Sequence, residues 1–456
     1  MLRTEREPVR LEGTRGALSH QQSLKVLADL KQRTPGAGVL DRHVAVEEAL
    51  TQTPLSLGNK ASTLEDGKEA YAAMLGAIKG ARSHVHMEMY IFEGDENGQL
   101  FADALKERAQ AGIKVRLIYD SVGCIHTPKE FFIDLSAAGV EVAEFNPVTV
   151  KGALDLVGLQ NRDHRKLLVV DGRVAFLGGI NISNVYGAVS GSGGSGGGSS
   201  MSGGGGSSGG ASGGSGKMSD RPFEDRPWRD LQVQLEGPVV ADLQRAFVKQ
   251  WEKWKKEPID DPALYPKPPS AGKDLVRAVT ASPQENNGLN ALYVALISAI
   301  ESAETEVIIT NAYFVPHPQL LAALESAARR GVDVKLLLPS RSDNPVVYHA
   351  GRSYYGELLE AGVKIYERKT RLLHSKSAVI DGVWSTVGST NLDWRSLAYN
   401  DELNAIVVGP EFAAQMKAVF DRDVGRSEAI TREAWRDRPI EDRIKEAGAR
   451  VMALWL

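Results

Sequence analysis

The residues of this chain best suited to chemistry form two histidine–lysine motifs. In each motif lysine follows the histidine by two residues, aspartate by seven, glycine by fourteen and asparagine by seventeen. The two sets are His164, Lys166, Asp171, Gly178 and Asn181, and His374, Lys376, Asp381, Gly388 and Asn391. Because the spacing is kept in register, the chain carries one functional unit twice.

These groups suit phosphodiester transfer. A neutral imidazole can attack phosphorus, and a protonated imidazole can give its proton to the departing alcohol. One histidine cannot conveniently do both in one step, whereas two copies supply two histidines and two lysines that hold the non-bridging oxygens. Loss of one such electrostatic group typically lowers a rate by roughly 10² to 10³.

The segment between histidine and aspartate predicts how these side chains are displayed. Each copy has an apolar run, at residues 167–170 and 378–380, closed by Asp-Gly, which is typical of a strand that ends in a turn. Alternate side chains of a strand share a face, so histidine and lysine point at one ligand. The small pair that follows, Gly178-Gly179 or Gly388-Ser389, predicts a corner where a substrate approaches the backbone.

The double motif resembles the phospholipase D superfamily, and its flanking phrases resemble bacterial cardiolipin synthases. The resemblance runs from about residue 58 to the C-terminus. The phrases are Glu88-Met89-Tyr90-Ile91-Phe92, Asn161-Arg162-Asp163-His164-Arg165-Lys166, Gly178-Gly179-Ile180-Asn181, Gly388-Ser389-Thr390-Asn391-Leu392-Asp393 and Asn400-Asp401-Glu402-Leu403-Asn404.

This resemblance implies two similar α/β domains, each a mixed β-sheet flanked by helices, that face each other across a pseudo-twofold axis. Both motifs then meet in one cleft. Strand and helix patterns alternate in both halves, which predicts the same class of fold. The resemblance also implies a phosphohistidine intermediate and no cofactor. No His, Cys and Asp cluster has metal-ligand spacing, so no metal is expected.

An acid stands seven residues before a Gly-Pro pair in each half, Asp230 in the first and Glu402 in the second. A carboxylate is the usual partner that fixes the tautomer of a working histidine. The resemblance implies that Asp230 serves His164 and that Glu402 serves His374.

The remaining candidates are less directly tied to the histidines. Asp171 and Asp381 either take part in the chemistry or shape the turn in which they stand. Asn181, Ser389 and Asn391 are predicted to line the phosphate pocket.

Length and internal repetition predict the domain organisation. At 456 residues the chain can build two cored domains. Residues 1–57 form an N-terminal extension, 58–257 the first domain, 258–285 a proline-rich connector and 286–456 the second domain. Residues 190–216 are almost entirely Gly and Ser, which predicts a disordered surface loop.

Composition restricts the partners. The formal net charge of −4 shows no basic excess of the kind that nonspecific nucleic-acid binding uses.

The N-terminus has no apolar leader and the chain has no apolar window of about 18 residues, so we expect no signal peptide and no transmembrane helix. The single cysteine, Cys124, cannot form an intramolecular disulfide, which fits a reducing compartment.

Two apolar segments allow either core packing or bilayer contact. Phe247, Trp251 and Trp254 stand among lysines near the end of the first domain, and the tail from Ile444 ends in a run of apolar residues. Core packing is the favoured interpretation of both, with contact at a bilayer surface as the alternative. His20 and His43, the two histidines of the N-terminal extension, are predicted to be solvated.

The predicted reaction is phosphatidyl transfer, with cardiolipin made from two phosphatidylglycerol molecules and glycerol released. His164 is the nucleophile and His374 the acid, although the two could be exchanged. The alternatives are a phospholipase D that transfers to water, a nuclease or other phosphodiesterase on a soluble substrate, and a binding protein without turnover. The predicted partner is anionic phospholipid, phosphatidylglycerol, with no nucleic acid. We expect a bacterial monomer containing an internal pseudo-dimer, peripheral to the cytoplasmic side of the inner membrane.

Overall fold

The N-terminal segment contains two short strands and two helices, β1 (Leu11–Gly13), β2 (Gly16–Ala17), α1 (His20–Arg33) and α2 (Gly38–Thr51). The structure, a computed structural model, describes residues 11–14, 16–33, 38–51, 53–147, 160–187, 226–283 and 290–452. The predicted Gly/Ser loop at 190–216 lies outside these residues.

Strands and helices alternate from β3 to β6 in the first half of the chain, as the sequence pattern predicts. Its elements are β3 (Leu55–Glu65), α3 (Asp66–Gly80), β4 (His84–Met89), α4 (Glu96–Gln110), β5 (Lys114–Asp120), α5 (Lys129–Ala137), β6 (Glu141–Phe145), β7 (Arg162–Asp163), β8 (Lys166–Val170), β9 (Val174–Gly178), β10 (Leu231–Glu236) and α6 (Val240–Lys255).

The second half repeats this plan and adds three elements at its end. Its elements are β11 (Asp274–Ala281), α7 (Ala291–Ser302), β12 (Glu306–Asn311), α8 (Pro318–Arg329), β13 (Asp333–Pro339), α9 (Pro345–Arg352), α10 (Tyr355–Ala361), β14 (Lys364–Arg368), β15 (Lys376–Ile380), β16 (Trp384–Gly388), α11 (Trp394–Ala398), β17 (Asn400–Val408), α12 (Pro410–Val424), β18 (Ser427–Ile430), α13 (Arg432–Arg436) and α14 (Ile440–Met452).

The two halves build mixed sheets with equivalent strand orders. The first sheet runs β3-β10-β9-β8-β4-β5-β6. The second runs β11-β17-β16-β15-β12-β13-β14, with β18 added at its edge. In each, the last three strands of the common order are parallel and the others antiparallel. The predicted α/β fold of two similar domains is confirmed.

Strand β3 joins the two sheets. Residues 60–65 pair with β10 of the first sheet, whereas Ser56, Leu57 and Asn59 pair with β11 of the second. The change of partner occurs between Asn59 and Lys60, next to an irregularity at Gly58, whose φ of +92° only glycine adopts readily. The predicted boundary between residues 57 and 58 therefore lies inside the strand that links the domains.

The domain interface has its own apolar core, formed by the inner strands of both sheets and by the equivalent helices α6 and α12. Phe247 and Trp251 of α6 are buried in this core together with Phe412 and Met416 of α12. The aromatic and lysine segment therefore packs inside the protein, which confirms the favoured interpretation of that segment.

Two predictions made from sequence are corrected by the fold. Strand β11 lies within the predicted connector 258–285 but belongs to the second sheet, because its apolar residues pair along β17. The C-terminal helix α14 leaves its large apolar residues outside the core, since Ile444 and Val451 are exposed. Core packing of the tail is therefore wrong for the part that the structure describes.

The N-terminal extension packs on the second domain through a buried ion pair. Glu47 of α2 lies 3.3 Å from Arg277 of β11 and accepts a 3.0 Å hydrogen bond from Trp384 Nε1 of β16. His43, predicted to be solvated, is instead fully buried, 2.9 Å from Glu47. It is buried because α2 covers Trp384, whose ring meets the His43 ring edge-on at 5.3 Å.

We expect Glu47→Ala to lower the free energy of unfolding by about 3 kcal/mol, because it leaves the Arg277 charge buried without its carboxylate. The measurement is urea denaturation. Glu428→Ala is the control, since Glu428 pairs with Lys369 on the surface and its loss should cost less than about 1 kcal/mol. Equal losses in the two variants would contradict this account of the extension.

Candidate active site

Two equivalent hairpins display the motifs. Each begins with the motif lysine, on β8 or β15, and reverses at Asp-Gly, where both residues have positive φ, 55° and 59° at Asp171-Gly172 and 50° and 61° at Asp381-Gly382. These are the values of a type I′ turn, which matches the twist of the paired strands. The predicted strand and turn are therefore confirmed in both copies.

The two motif aspartates lie away from the histidines. Asp171 Oδ1 accepts bonds from the backbone N–H groups of Ser83 and His84, and Asp381 Oδ1 accepts the equivalent bonds from Thr305 and Glu306. A five-residue strand of about 17 Å separates each aspartate from its histidine. The prediction of a direct part in the chemistry is therefore corrected. Each aspartate has the other predicted role, which is to shape the turn.

Each histidine is held by the opposite half of the chain. The backbone N–H of His164 donates to Asp401 O at 2.9 Å, and that of His374 donates to Arg229 O at 2.8 Å. The acid next in sequence faces the ring. His164 Nδ1 lies 3.0 Å from Glu402 Oε1, and His374 Nδ1 lies 2.7 Å from Asp230 Oδ2.

The predicted partners of the histidines are therefore exchanged. Glu402 serves His164 and Asp230 serves His374, because β17 runs alongside the segment before His164 while the residue before Asp230 bridges to the segment before His374. The sequence showed the acids but could not show which half they face.

The small residues after β9 and β16 make room for these acids. A Cβ at Gly179 would overlap the Asp230 carboxylate. The equivalent Ser389 donates its hydroxyl to Glu402 Oε2. The small residues were predicted to let a substrate approach the backbone, but it is the carboxylate that approaches there. Glycine stands beside aspartate in one half, and serine stands beside the longer glutamate in the other.

Both motif lysines lie beside their own histidines. Lys166 Nζ donates to His164 O, and Lys376 Nζ donates to His374 O and lies 3.0 Å from each ring nitrogen of His374. All four side chains are almost fully buried. The predicted sharing of one face by histidine and lysine is confirmed in both copies.

The two motifs lie close enough for their charges to act on each other. Burial lowers the pKa of His164 well below its usual value, and the charges of Lys166, Lys376 and His374 lower it further. Burial also lowers the pKa of Lys166 to about 7 and that of Lys376 to about 8. The cleft therefore concentrates cationic groups in a low dielectric, which is a site suited to an anion.

The two histidines differ in their surroundings. The pKa of Glu402, beside His164, is raised to about 7 by burial. Burial lowers the pKa of His374, whereas its hydrogen bond to Asp230 favours the protonated ring. The hydroxyl of Tyr186 also lies 3.2 Å from His374 Nδ1. His374 is therefore the easier of the two rings to protonate.

Aromatic side chains surround the histidines unequally. The ring of Tyr90 meets His164 edge-on at 4.9 Å, with Lys166 Nζ 5.0 Å from its centre. The ring centre of Trp228 lies 5.3 Å from that of His374, and the ring centre of Tyr313 lies 6.5 Å from it. Tyr186, Trp228 and Tyr313 were missed from the sequence because they lie outside the duplicated spacing.

Of the predicted phosphate ligands, two have structural partners. Asn181 accepts a bond from Ile91 N and donates to Tyr186 Oη, and the Ser389 hydroxyl is bound to Glu402. We therefore assign Asn181 and Ser389 to positioning instead of phosphate contact. Asn391 Oδ1 is buried without a hydrogen-bond partner in the described part of the chain, and its role in the pocket stays a prediction.

Arg229 is a further positioning residue that the sequence did not reveal. Its guanidinium bonds to Asp423 of the second domain at 2.8 Å and to Asp66 of the first at 3.0 Å. These ion pairs fix the backbone carbonyl that receives the N–H of His374. Arg229 stands at the position equivalent to Asp401 of the second half. Because the two residues carry opposite charges, the sequence did not indicate that both offer a carbonyl to a motif histidine.

Among the residues that the structure describes, no group of three or more His, Cys, Asp or Glu side chains could hold a metal ion. In the same residues no helix is both long and apolar enough to cross a bilayer. Metal independence stays a prediction.

The fold and the paired motifs define a protein of the phospholipase D class. The crystal structure of phosphatidylserine synthase from Haemophilus influenzae superposes with a TM-score of 0.64, covering 90% of this chain and 96% of that one, at 12% identity. The family profile described as "Cardiolipin synthase, PLD-like domain" matches residues 74–186 and 296–424.

Curated relatives narrow the class. Cardiolipin synthase of Geobacillus kaustophilus is 33% identical over 406 residues, which is 88% of this chain and 73% of that protein. Cardiolipin synthase of Halalkalibacterium halodurans is also 33% identical over 406 residues, 89% of this chain and 74% of its own. This chain belongs to the cardiolipin synthase family.

The exchanged pairing predicts which histidine responds to the loss of each acid. We expect Asp230→Asn to lower the pKa of His374, because it removes the carboxylate that stabilises the protonated ring, and to leave that of His164 nearly unchanged. NMR titration of the two imidazoles measures this. A response of His164 to Asp230→Asn would restore the pairing within each half.

We expect Lys166→Met to stabilise the fold while it lowers activity by roughly 10² to 10³. Since the folded-state pKa of about 7 lies below the unfolded value of 10.5, the unfolded chain binds more protons between these values and the folded state gains stability as pH rises. Removing the amine should raise the free energy of unfolding at pH 7 by about 1 to 3 kcal/mol. Urea denaturation at pH 7 and pH 10 tests this, because the gain should shrink at the higher pH.

Proposed function

We propose that the protein makes cardiolipin by transferring a phosphatidyl group between two molecules of phosphatidylglycerol. The single observation that carries this proposal is that two buried histidine–lysine pairs, one from each half, lie close enough for their charges to interact, with a carboxylate at each ring. Such a site can hold an anionic phosphodiester, supply a nucleophile and supply a proton. Membership of the cardiolipin synthase family supports the choice of lipid.

The first half-reaction forms a covalent phosphatidyl-histidine. His164 Nε2 attacks phosphorus while Glu402 receives the Nδ1 proton in a hydrogen bond and fixes this tautomer. The P–O bond to glycerol breaks, and His374 gives its Nε2 proton to that oxygen. Lys166 and Lys376 hold the non-bridging oxygens.

The second half-reaction regenerates the enzyme. His374, now neutral, removes the proton from a terminal glycerol hydroxyl of a second phosphatidylglycerol, whose oxygen attacks phosphorus. The P–N bond to His164 breaks, and cardiolipin leaves. Water in place of this alcohol would give phosphatidic acid.

The contrast between the two rings supports this order of roles. A nucleophile must be neutral, and His164 is the ring whose pKa burial and four neighbouring cationic side chains lower most plainly. An acid must be protonated, and His374 has the shorter bond to a carboxylate, 2.7 Å against 3.0 Å. The site is complete within one chain, so we propose that it works as a monomer, peripheral to the cytoplasmic side of the inner membrane.

The reaction is tested with pure phosphatidylglycerol vesicles and mass spectrometry of the products. We expect cardiolipin and glycerol in equal amounts, and neither from His164→Ala or His374→Ala. Phosphatidic acid as the sole lipid product would show a phospholipase D. Cleavage of DNA with inert lipid would show a nuclease and would reject the proposal.

The order of roles is tested with a phosphatidyl ester of p-nitrophenol, whose departure needs no proton. His374→Ala should release one equivalent of nitrophenol per site and accumulate a phosphatidyl adduct on His164, because the base for the second step is missing. His164→Ala should form no adduct. An adduct on His374 would exchange the two roles.

A further inference from the structure

The C-terminal helix α14 exposes an apolar stripe. Ile440 and Ile444 are each 66% exposed and Val451 is 74% exposed. These positions are spaced by four and seven residues, so they lie on one side of a helix about 18 Å long. Single exposed apolar residues are ordinary on protein surfaces, whereas a stripe along a whole helix face marks a contact surface.

The opposite side of α14 is fixed to the second domain. Glu446 is buried and pairs with Arg352 at 3.4 Å and with Arg438 at 2.9 Å, and Ala449 is buried against α9. The helix is thus held rigidly with its apolar stripe outward. The stripe does not arise from a loose end of the chain.

The helix lies close to the catalytic cleft. Ala449 belongs to a small apolar cluster with Val315 and Val347, against which Tyr313 packs. Tyr313 is also the aromatic ring that faces His374 edge-on. One packed layer therefore separates the inner side of α14 from the wall of the cleft.

Charge on the helix indicates the kind of surface that it meets. The first turn of α14 carries two acids, Glu441 and Asp442, whereas from Arg443 to the end of the helix the exposed charged side chains are basic, namely Arg443, Lys445 and Arg450. The one acid in this stretch, Glu446, is buried beneath the helix and neutralised by two arginines. An apolar face with basic residues beside it is the pattern of a helix that lies in the surface of an anionic bilayer.

We propose that α14 docks the protein on an anionic phospholipid surface, with Ile440, Ile444 and Val451 inserted between the headgroups. This inference rests on the proposed lipid-transferring function, because a substrate with two acyl chains must pass from bilayer to cleft. One packed layer then separates the docked helix from the aromatic wall on the His374 side of the cleft.

The test uses the full chain and two vesicle compositions, pure phosphatidylglycerol and pure phosphatidylcholine. We expect the double variant Ile440→Ser, Ile444→Ser to weaken cosedimentation with phosphatidylglycerol vesicles by at least about tenfold. The matched control is Leu24→Ser, since Leu24 is 54% exposed on α1, and it should change binding less than about twofold. Turnover of short-chain phosphatidylglycerol below its micellar concentration should be retained by both variants.

Several results would overturn the inference. Unchanged vesicle binding by the double variant would do so, and so would equal binding of the wild type to both compositions. Light scattering that shows a dimer, dissociated by the double variant with vesicle binding intact, would assign the stripe to a second copy of the chain. Because vesicle binding is measured without turnover, normal docking by a protein that makes no cardiolipin would instead reject the proposed function.

Discussion

The site depends on an exchange of support between the two halves of the chain. A strand segment of each half offers a carbonyl to the backbone of the opposite histidine and, one residue later, a carboxylate to its ring. Neither half contains a complete histidine–acid pair, so a functional site requires both domains docked in register. The central core around α6 and α12, together with the ion pairs of Arg229, supplies that register.

Bringing the two domains together in this way costs electrostatic free energy, and a bound anionic substrate can offset that cost. Two lysines and two histidines are buried close together, burial lowers the pKa of each, and repulsion by neighbouring cations lowers the pKa of His164, Lys166 and His374 further. A phosphodiester brings a negative charge to the centre of this group and stabilises the protonated forms. Without a bound anion the folded chain stabilises the protonated lysines and histidines poorly. The site therefore favours an anionic ligand.

The sequence was sufficient for the fold class, the strand and turn of each motif, and the four motif side chains, because these follow from local periodicity and from a spacing kept twice. It was insufficient wherever the answer depended on which segments meet in space. Asp230 and Glu402 were identified from their position in the repeat, but that register is the same whether an acid faces its own half or the other. Tyr186 and Arg229 have no equivalent of the same type in the second copy, so the repeat could not reveal them. Burial of His43 depends on α2 covering Trp384, a contact across more than 300 residues of sequence.

The departures from exact repetition are where the two halves acquire different chemistry. A symmetric site would give both rings the same pKa and the same affinity for a proton, yet an in-line transfer needs one neutral ring and one protonated ring at the same moment. Glycine beside aspartate lets a carboxylate approach His374 closely and with Tyr186 alongside, whereas serine beside glutamate ties part of the other carboxylate to a hydroxyl. The difference between the two acids and their small neighbours is therefore a source of the asymmetry that the proposed reaction requires.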